Sequence, residues 1–267
     1  MSKRTAKTGG GLQSGLAWAG LVLMLLSVVW WNLLPRRIGD TGARPARQMP
    51  SGPIACVVID AGHGGQDSGA IHAGVQEKDL TLDVAQRLDR LVRAKGLKTI
   101  LTRDRDEAVS LAQRATTANR QRDCVFVSIH FDEGGRAAAT GVQTFYATRQ
   151  LPKQGLVATW LPFLQQVSSD GTNLESQSLA RLVQEALVTR TRAVDRGTRA
   201  EQFYVVANVR HPAVLVEGGF LSNDADIAKL AMEGYRQDLA LAISEAILRY
   251  CEMAGQQATA TAGEPRT

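Results

Sequence analysis

The stretch IDAGHGG, residues 59–65, ends an apolar segment and then places one histidine among three glycines. The preceding residues 55–59 are uniformly apolar, as in a buried strand. Gly62, Gly64 and Gly65 lack a Cβ atom, so they permit a tight turn and let other groups approach His63 closely. A phosphate-binding loop also places glycines after a strand, but neither G-x-G-x-x-G nor G-x-x-x-x-G-K-[ST] occurs here. The stretch therefore predicts a strand and a turn that presents His63.

Strand-like and helical patterns alternate along the rest of the chain. Apolar runs of strand type lie at 55–59, 97–101, 125–129, 142–146, 203–207 and 213–216. Helical patterns lie at 80–94, 111–120, 176–191 and 235–251. This alternation predicts an α/β domain whose mostly parallel sheet is covered by helices on both faces. The small and polar segment 253–267 is predicted to be a disordered tail.

The net charge of +5 comes from the first fifty residues. They carry seven Lys or Arg residues and one acidic residue, whereas the remainder carries 24 basic and 25 acidic residues. The remainder is nearly neutral and lacks the basic face that binding to phosphates requires. We therefore predict no nucleic-acid partner.

Residues 15–34, GLAWAGLVLMLLSVVWWNLL, form an uncharged apolar run. As a helix this run would span about 30 Å, the thickness of a bilayer core. Trp30 and Trp31 lie near one end, where aromatic rings favour the membrane interface. A cleaved signal peptide is the alternative, although its apolar region is usually about 7 to 15 residues long. We predict a basic segment at 1–14, a transmembrane anchor at 15–34 and a linker at 35–53.

The three cysteines are far apart in the sequence. Cys56 and Cys124 lie in strand-like runs and Cys251 lies in the last predicted helix. Their spacing forms no C-x-x-C pair and does not indicate a disulfide framework. We interpret Cys56 and Cys124 as small buried hydrophobic residues. A metal ion would then be held by histidine and carboxylate groups.

Three polar residues follow strand-like runs, two of them directly and the first after a short turn. They are His63, His130 and Glu217. The carboxyl ends of parallel strands meet at one edge of a sheet, where ligand sites form. Two imidazoles and one carboxylate suit zinc, with an open position for water and a second carboxylate as base. Glu77 opens the helix at 80–94, where the helix dipole alone explains an acid.

Five segments carry a resemblance to a known family: IDAGHGG, GVQEKDLTLDVAQRL, TRDRDEAVSLAQRATTAN, FVSIHFD and PAVLVEGGFLSN. In this order they resemble the motifs of the zinc-dependent N-acetylmuramoyl-L-alanine amidases of cell separation and sporulation. The resemblance extends over residues 54–250. It implies one catalytic domain at 54–252, with a six-stranded, mostly parallel sheet, one Zn²⁺ ion and peptidoglycan as the substrate.

The resemblance also implies a role for individual residues. His63, Glu77 and His130 match the family's metal ligands, and Glu217 matches its catalytic glutamate. Glu77 thus becomes a ligand and Glu217 becomes the general base that takes a proton from water and returns it to the leaving amine. The bond cut would be the amide between N-acetylmuramic acid and L-alanine. Arg196 resembles an arginine that precedes the family's fifth strand and is a substrate-binding candidate.

Two histidines match no ligand of the family. His72 lies in a predicted loop and His211 precedes a proline. We expect both side chains at the surface.

The chain departs from the family pattern in two places. Phe131, Asp132 and Glu133 follow His130 where a small polar pair is common, which predicts an altered subsite beside the metal. Residues 148–175 form a long insert with the apolar stretch LVATWLPFL, which we interpret as a lid or regulatory segment on which a protein activator would act. An apolar patch packed on the domain or in contact with lipid is the alternative.

Two other functions fit the sequence. One is a zinc peptidase that cuts another wall amide, and the other is a wall-binding module without activity. Because peptidoglycan lies outside the cytoplasm, we expect the catalytic domain there, anchored to the inner membrane. Secretion or a periplasmic location after signal cleavage is the alternative.

Overall fold

A six-stranded sheet forms the centre of the computed structural model, which describes residues 54–132, 139–150 and 173–262. The strands of the described residues are β1 (Cys56–Ala61), β2 (Ile71–His72), β3 (Val75–Gln76), β4 (Lys98–Leu101), β5 (Cys124–Asp132), β6 (Val142–Tyr146), β7 (Asp195–Ala200) and β8 (Ala213–Phe220). The sheet order is β4-β1-β5-β8-β6-β7, and β2 pairs with β3 in a small hairpin. Strands β4, β1, β5 and β8 are parallel, while β6 runs antiparallel to β8. The predicted α/β class and the mostly parallel six-stranded sheet are confirmed.

Helices cover both faces of this sheet. They are α1 (Glu77–Ala94), α2 (Leu111–Asn119), α3 (Leu174–Thr191), α4 (Tyr204–Ala207), α5 (Asp224–Leu230) and α6 (Glu233–Ala262). Alternate residues of β1 point to opposite faces, as the two-residue period of a strand requires. Val57 and Ile59 pack in the core formed with α1, α3 and α6, whereas Val58 packs in the core formed with α2 and α4. The strand is therefore apolar from Cys56 to Ile59 because both of its faces are buried.

Helix α1 follows from its own sequence pattern. Leu80, Val84, Leu88 and Val92 recur at intervals of four residues and form its buried face. The helix ends before Gly96, which has the left-handed φ of 82° that glycine adopts readily. This helix matters for the site because Glu77 is its first residue.

The predicted strand at 203–207 is wrong. Residues Tyr204–Ala207 form the short helix α4, and the sixth strand is Asp195–Ala200. That strand, DRGTRA, lies at the edge of the sheet and is largely exposed, so it carries no apolar run that sequence patterns could detect. Val205 and Val206 are buried, but as residues of this short helix and not of a strand.

The interpretation of Cys56 and Cys124 as unpaired hydrophobic residues is also wrong. The two residues form a disulfide, with their Cα atoms 4.7 Å apart. They lie directly opposite each other at the start of the parallel strands β1 and β5. Only the order of strands in the sheet brings them together, because 68 positions separate them in the sequence.

The C-terminal segment 253–267 is not disordered throughout as predicted. Helix α6 continues to Ala262, and Ala254 is 1% exposed within the core. The predicted anchor at 15–34, the linker at 35–53 and residues 151–172 of the insert lie outside the described residues. None of the described helices combines the length and the apolar character needed to cross a bilayer.

Candidate metal centre

The turn that follows β1 presents His63 from an unusual backbone conformation. His63 has a φ of 58°, and the next two glycines, Gly64 and Gly65, have φ values of 122° and 62°. Gly64 also exchanges two backbone hydrogen bonds with Asp67, which closes the turn. The His63 side chain is thereby directed toward α1, with its Nε2 atom 3.0 Å from Oε2 of Glu77.

Glu77 lies between the two histidines. Its Oε2 atom faces His63 Nε2, and its Oε1 atom lies 3.0 Å from His130 Nδ1. Backbone N–H groups fix the same two oxygens, since Ala70 donates to Oε2 and Phe131 donates to Oε1. Glu77 as a whole is 5% exposed, so these four contacts set the orientation of its carboxylate.

The two histidine rings meet edge to face. Their centroids are 4.9 Å apart and their planes make an angle of 76°. Gly62 makes this approach feasible, because a Cβ atom at that position would lie 2.4 Å from Cε1 of His130. The ligand atoms of His63, Glu77 and His130 all lie within 4.8 Å of one another, which makes them a group that could hold a metal ion.

Electrostatics keep the Glu77 carboxylate ionised. Burial raises the pKa of Glu77, but its hydrogen bonds with His130, His63 and the Phe131 amide lower the pKa by more, and the result lies well below the usual range. Burial lowers the pKa of His63, but the hydrogen bonds with Glu77 and Asp67 raise it above its ordinary value. A carboxylate that is ionised at neutral pH is what a metal ligand requires.

Asp67 contacts the ring of His63 and is a residue of the site that the sequence motifs did not predict. Its Oδ2 atom lies 2.9 Å from His63 Nδ1, on the opposite side of the ring from Glu77. Burial raises the pKa of Asp67, but its hydrogen bonds with His63 and the Gly69 amide lower the pKa by more, so it lies below its ordinary value. A carboxylate on the second ring nitrogen is a common way to fix a metal-binding histidine. The signal was present as an acid four residues after His63.

Glu217 lies in β8 beside the metal-binding group. It is the direct register partner of His130 on β5 and of Gln143 on β6. Its side chain is half-buried. Strands β5 and β8 continue past His130 and Glu217, so both residues lie within strands rather than after them.

The other predicted residues occupy different places. Arg196 is exposed on β7, with its guanidinium carbon 4.7 Å from the ring centroid of Phe220. His72 is exposed on the β2–β3 hairpin, as expected, whereas His211 is partly buried. Phe131, which follows His130, is fully buried in the core. Its ring therefore does not contribute to the altered subsite that was predicted beside His130.

A cavity of about 460 Å³ opens beside the two histidines. Its polar lining includes His63, His130 and Asp67, and its apolar lining includes Val109 and Leu111. A cleft of this size admits part of a polymeric substrate to the histidine cluster.

A mostly parallel α/β sheet with histidine and glutamate side chains grouped near its carboxyl edge, beside an open cleft, is an arrangement suited to a hydrolase that binds a metal ion. The family model described as N-acetylmuramoyl-L-alanine amidase matches residues 57–249. The chain belongs to this family and is a peptidoglycan amidase.

Individual proteins are similar in sequence to most of this chain. The uncharacterised protein YqiI of Bacillus subtilis is 34% identical over 194 residues, which are 73% of this chain and 84% of YqiI. The N-acetylmuramoyl-L-alanine amidase LytC of Bacillus subtilis is 31% identical over 217 residues, covering 80% of this chain. The chain spans only 40% of the length of LytC.

Solved structures share the fold. The catalytic domain of the amidase CwlV from Bacillus (Paenibacillus) polymyxa var. colistinus is 30% identical with a TM-score of 0.63, covering 74% of this chain and 98% of that one. The CwlD amidase of Clostridioides difficile, solved in complex with the GerS lipoprotein, is 27% identical with a TM-score of 0.62 and covers 74% and 99%, respectively.

Proposed function

We propose that this amidase uses zinc, held by His63, Glu77 and His130, to hydrolyse the bond between N-acetylmuramic acid and L-alanine. The observation that carries the proposal is the grouping of these three side chains within 4.8 Å. Two imidazoles and one carboxylate are a donor set typical of catalytic zinc, whereas calcium and magnesium favour oxygen ligands. The adjacent cleft leaves room for a substrate amide beside the donors.

Glu217 acts as the general base in this proposal. When bound, zinc supplies Lewis acidity, which makes water more acidic and an amide carbonyl more electrophilic. The Glu217 carboxylate takes a proton from the attacking water and then donates it to the nitrogen of L-alanine as the C–N bond breaks. Its register position opposite His130 supports this role, because the base must lie beside the ligands without being one of them.

Arg196 is proposed to bind a carboxylate of the stem peptide. Its guanidinium group is exposed, and its contact with Phe220 links it to the strand that carries Glu217. A charge held at the sheet edge in this way can attract an anionic substrate group.

Substitutions at the four site residues test the mechanism. We expect His63→Ala, Glu77→Ala and His130→Ala to lose zinc, because each removes a ligand. Glu217→Gln should retain zinc and lose about 10²- to 10⁴-fold in turnover, because it removes only a proton acceptor. Metal analysis of purified variants and muropeptide digestion with mass detection provide the two measurements.

His72→Ala is the matched control for these variants, because this exposed histidine lies outside the cluster and should keep both zinc and activity. A zinc-free Glu217→Gln together with a fully loaded Glu77→Ala would reverse the two assignments. Products cut at another wall amide would identify a peptidase, and zinc-loaded wild-type protein without any product would identify a binding module.

The catalytic domain is proposed to lie outside the cytoplasm, anchored to the inner membrane by residues 15–34. Two features support this location: the substrate is a cell-wall polymer, and Cys56 and Cys124 form a disulfide of the kind that persists in oxidising compartments.

Protease accessibility tests this location. Protease added to intact spheroplasts should degrade the catalytic domain, and deletion of residues 1–34 should release the protein from the membrane fraction. Protection of the domain until the membrane is lysed would place it in the cytoplasm. A mature protein that lacks residues 1–34 would indicate signal cleavage instead.

A protein activator acting on the insert at 148–175 is proposed from the sequence. One structural relative, the CwlD amidase, was solved in complex with a lipoprotein, GerS. That complex supports the general idea that an amidase of this fold engages a protein partner.

A further inference from the structure

Two buried arginines hold the turn that carries His63. His63 adopts a left-handed backbone conformation, which a non-glycine residue keeps only where its surroundings impose it. Arg103 and Arg114 lie beneath this turn, and they are only 1% and 3% exposed. Both come from the segment TRDRDEAVSLAQR, and neither belongs to the metal-binding group.

Arg114 reaches the turn from α2. Its Nη2 atom donates to the carbonyl oxygen of His63 at 2.6 Å, and its Nη1 atom donates to the carbonyl oxygen of Ala61. The same Nη1 atom lies 2.8 Å from Oδ1 of Asp60, a fully buried carboxylate. Asp60 is itself fixed by a hydroxyl group of Ser128 on β5. The guanidinium group is therefore locked between the end of β1 and the His63 carbonyl.

Arg103 joins the two segments that carry His63 and Glu77. Its Nη2 atom donates to the carbonyl oxygen of Gly62 at 2.7 Å and to that of Lys78 at 2.8 Å. Gly62 precedes His63, and Lys78 follows Glu77. One guanidinium nitrogen thus fixes the distance between the turn and the first turn of α1.

Backbone carbonyl groups surround the buried positive charge of Arg103, whereas the Asp60 carboxylate pairs with that of Arg114. Burial lowers the pKa of Arg103, and the neighbouring charge of Arg114 lowers it further. Burying a charge is costly unless polar groups surround it. Arg103 donates to the carbonyl oxygens of residues 61, 62, 78 and 105, and its planar fork reaches several of them at once.

We propose that Arg103 and Arg114 are positioning residues of the metal centre. They hold the backbone of residues 61–63 so that His63 Nε2 faces Glu77, which preorganises the two side chains for zinc. This inference rests on the proposed roles of His63 and Glu77 as zinc ligands. A lysine keeps the charge but has a single ammonium group that cannot reproduce the forked contacts.

Zinc affinity, measured by competition with a chromophoric chelator, tests the proposal. We expect Arg103→Lys and Arg114→Lys to raise the zinc dissociation constant by about 10- to 100-fold, as for other residues that orient metal ligands. Activity should recover when zinc is raised to saturate the variants. The melting temperature of each metal-free protein is measured in parallel.

Arg236→Lys is the matched control. Arg236 also donates to backbone carbonyl oxygens, those of Leu230 and Ala231, and it pairs with Asp83, but none of these partners lies in the His63 turn. This variant should lose stability without any change in zinc affinity.

An unchanged dissociation constant in Arg103→Lys and Arg114→Lys, whatever their melting temperatures, would overturn the proposal and leave a purely structural role. If these variants do not fold, Thr81→Val provides the test, because the Thr81 hydroxyl donates to the Gly62 carbonyl oxygen at 2.8 Å and accepts from Arg103. Valine has nearly the same shape as threonine but lacks the hydroxyl group, so this variant should raise the zinc dissociation constant by about tenfold. An unchanged dissociation constant would again refute the proposal. Wild-type protein that binds no zinc would instead refute the proposed function.

Discussion

Gly62 lies between the end of β1 and His63, and its missing side chain leaves the space that the His130 ring occupies. A Cβ atom there would lie 2.4 Å from Cε1 and 2.6 Å from Nε2 of His130. Gly69 has the same function on the other side of the cluster, since its Cβ would lie 2.4 Å from Oε2 of Glu77. The glycines of this region therefore serve close packing of the ligands as well as turn formation.

We expect Gly62→Ala to lose zinc and activity, because the added methyl group must displace the His130 imidazole. Gly234→Ala in α6 is the matched control, since a Cβ there meets no atom within 4 Å. Zinc content and turnover are measured for both variants. A zinc-loaded and active Gly62→Ala would show that the approach of the two histidines is not needed.

Strands β1 and β5 serve two purposes at opposite ends. Their carboxyl ends lead to His63 and carry His130, while their amino ends carry the disulfide between Cys56 and Cys124. The disulfide covalently joins the two strands that position the histidines. It lies at the edge of the sheet away from the metal-binding group, so it should affect stability more than chemistry.

The double variant Cys56→Ala/Cys124→Ala should lose about 4 kcal/mol of unfolding free energy, because the disulfide closes a loop of some 68 residues in the unfolded chain. Urea unfolding with and without reductant measures the effect. Cys251→Ala, which alters the free cysteine, should respond to reductant as the wild type does. A wild-type midpoint that reductant does not move would contradict the prediction. The folded Cys56→Ala/Cys124→Ala variant should have the same zinc content as the wild type.

At the scale of the whole molecule, the described residues form one α/β layer structure, and the residues that flank 151–172 are fixed to it by hydrogen bonds. Asn173 donates from its Nδ2 atom to the carbonyl oxygen of Ala147 at 3.2 Å, so the two ends of the insert are adjacent. Gln150 is held separately by the carbonyl oxygens of Val206 and His211. A short turn can therefore replace residues 151–172 without disturbing either anchor point.

We expect that replacing residues 151–172 with a short Gly/Ser turn raises activity on purified sacculi and leaves zinc content unchanged. Burial of even two large side chains of the apolar stretch LVATWLPFL would contribute several kcal/mol. Docked in the cleft beside His63 and His130, the stretch would restrict access of a polymeric substrate. A matched variant with only Trp160→Ser and Phe163→Ser should give part of the increase. Equal or lower activity in a folded, zinc-loaded deletion variant would favour a packing or membrane-contact role.

The sequence by itself determined the α/β class, and its resemblance to the amidase family predicted a catalytic domain at 54–252 and the roles of His63, Glu77, His130 and Glu217. Buried parallel strands are apolar on both faces, and the motifs around His63, Glu77, His130 and Glu217 are local in the chain. The residues alone predict Glu77 to be a partner of the helix dipole, and only the resemblance to the family predicts it to be a ligand.

Tertiary structure alone decided the features that depend on distant partners. The pairing of Cys56 with Cys124 follows from the order of strands, and the exposed edge strand β7 carries no apolar pattern to reveal it. The contacts of Arg103 and Arg114 with the His63 turn likewise join segments about 40 to 50 residues apart. Sequence periodicity reports which side of an element is buried, but not which neighbour covers it, and that neighbour fixes the geometry of this site.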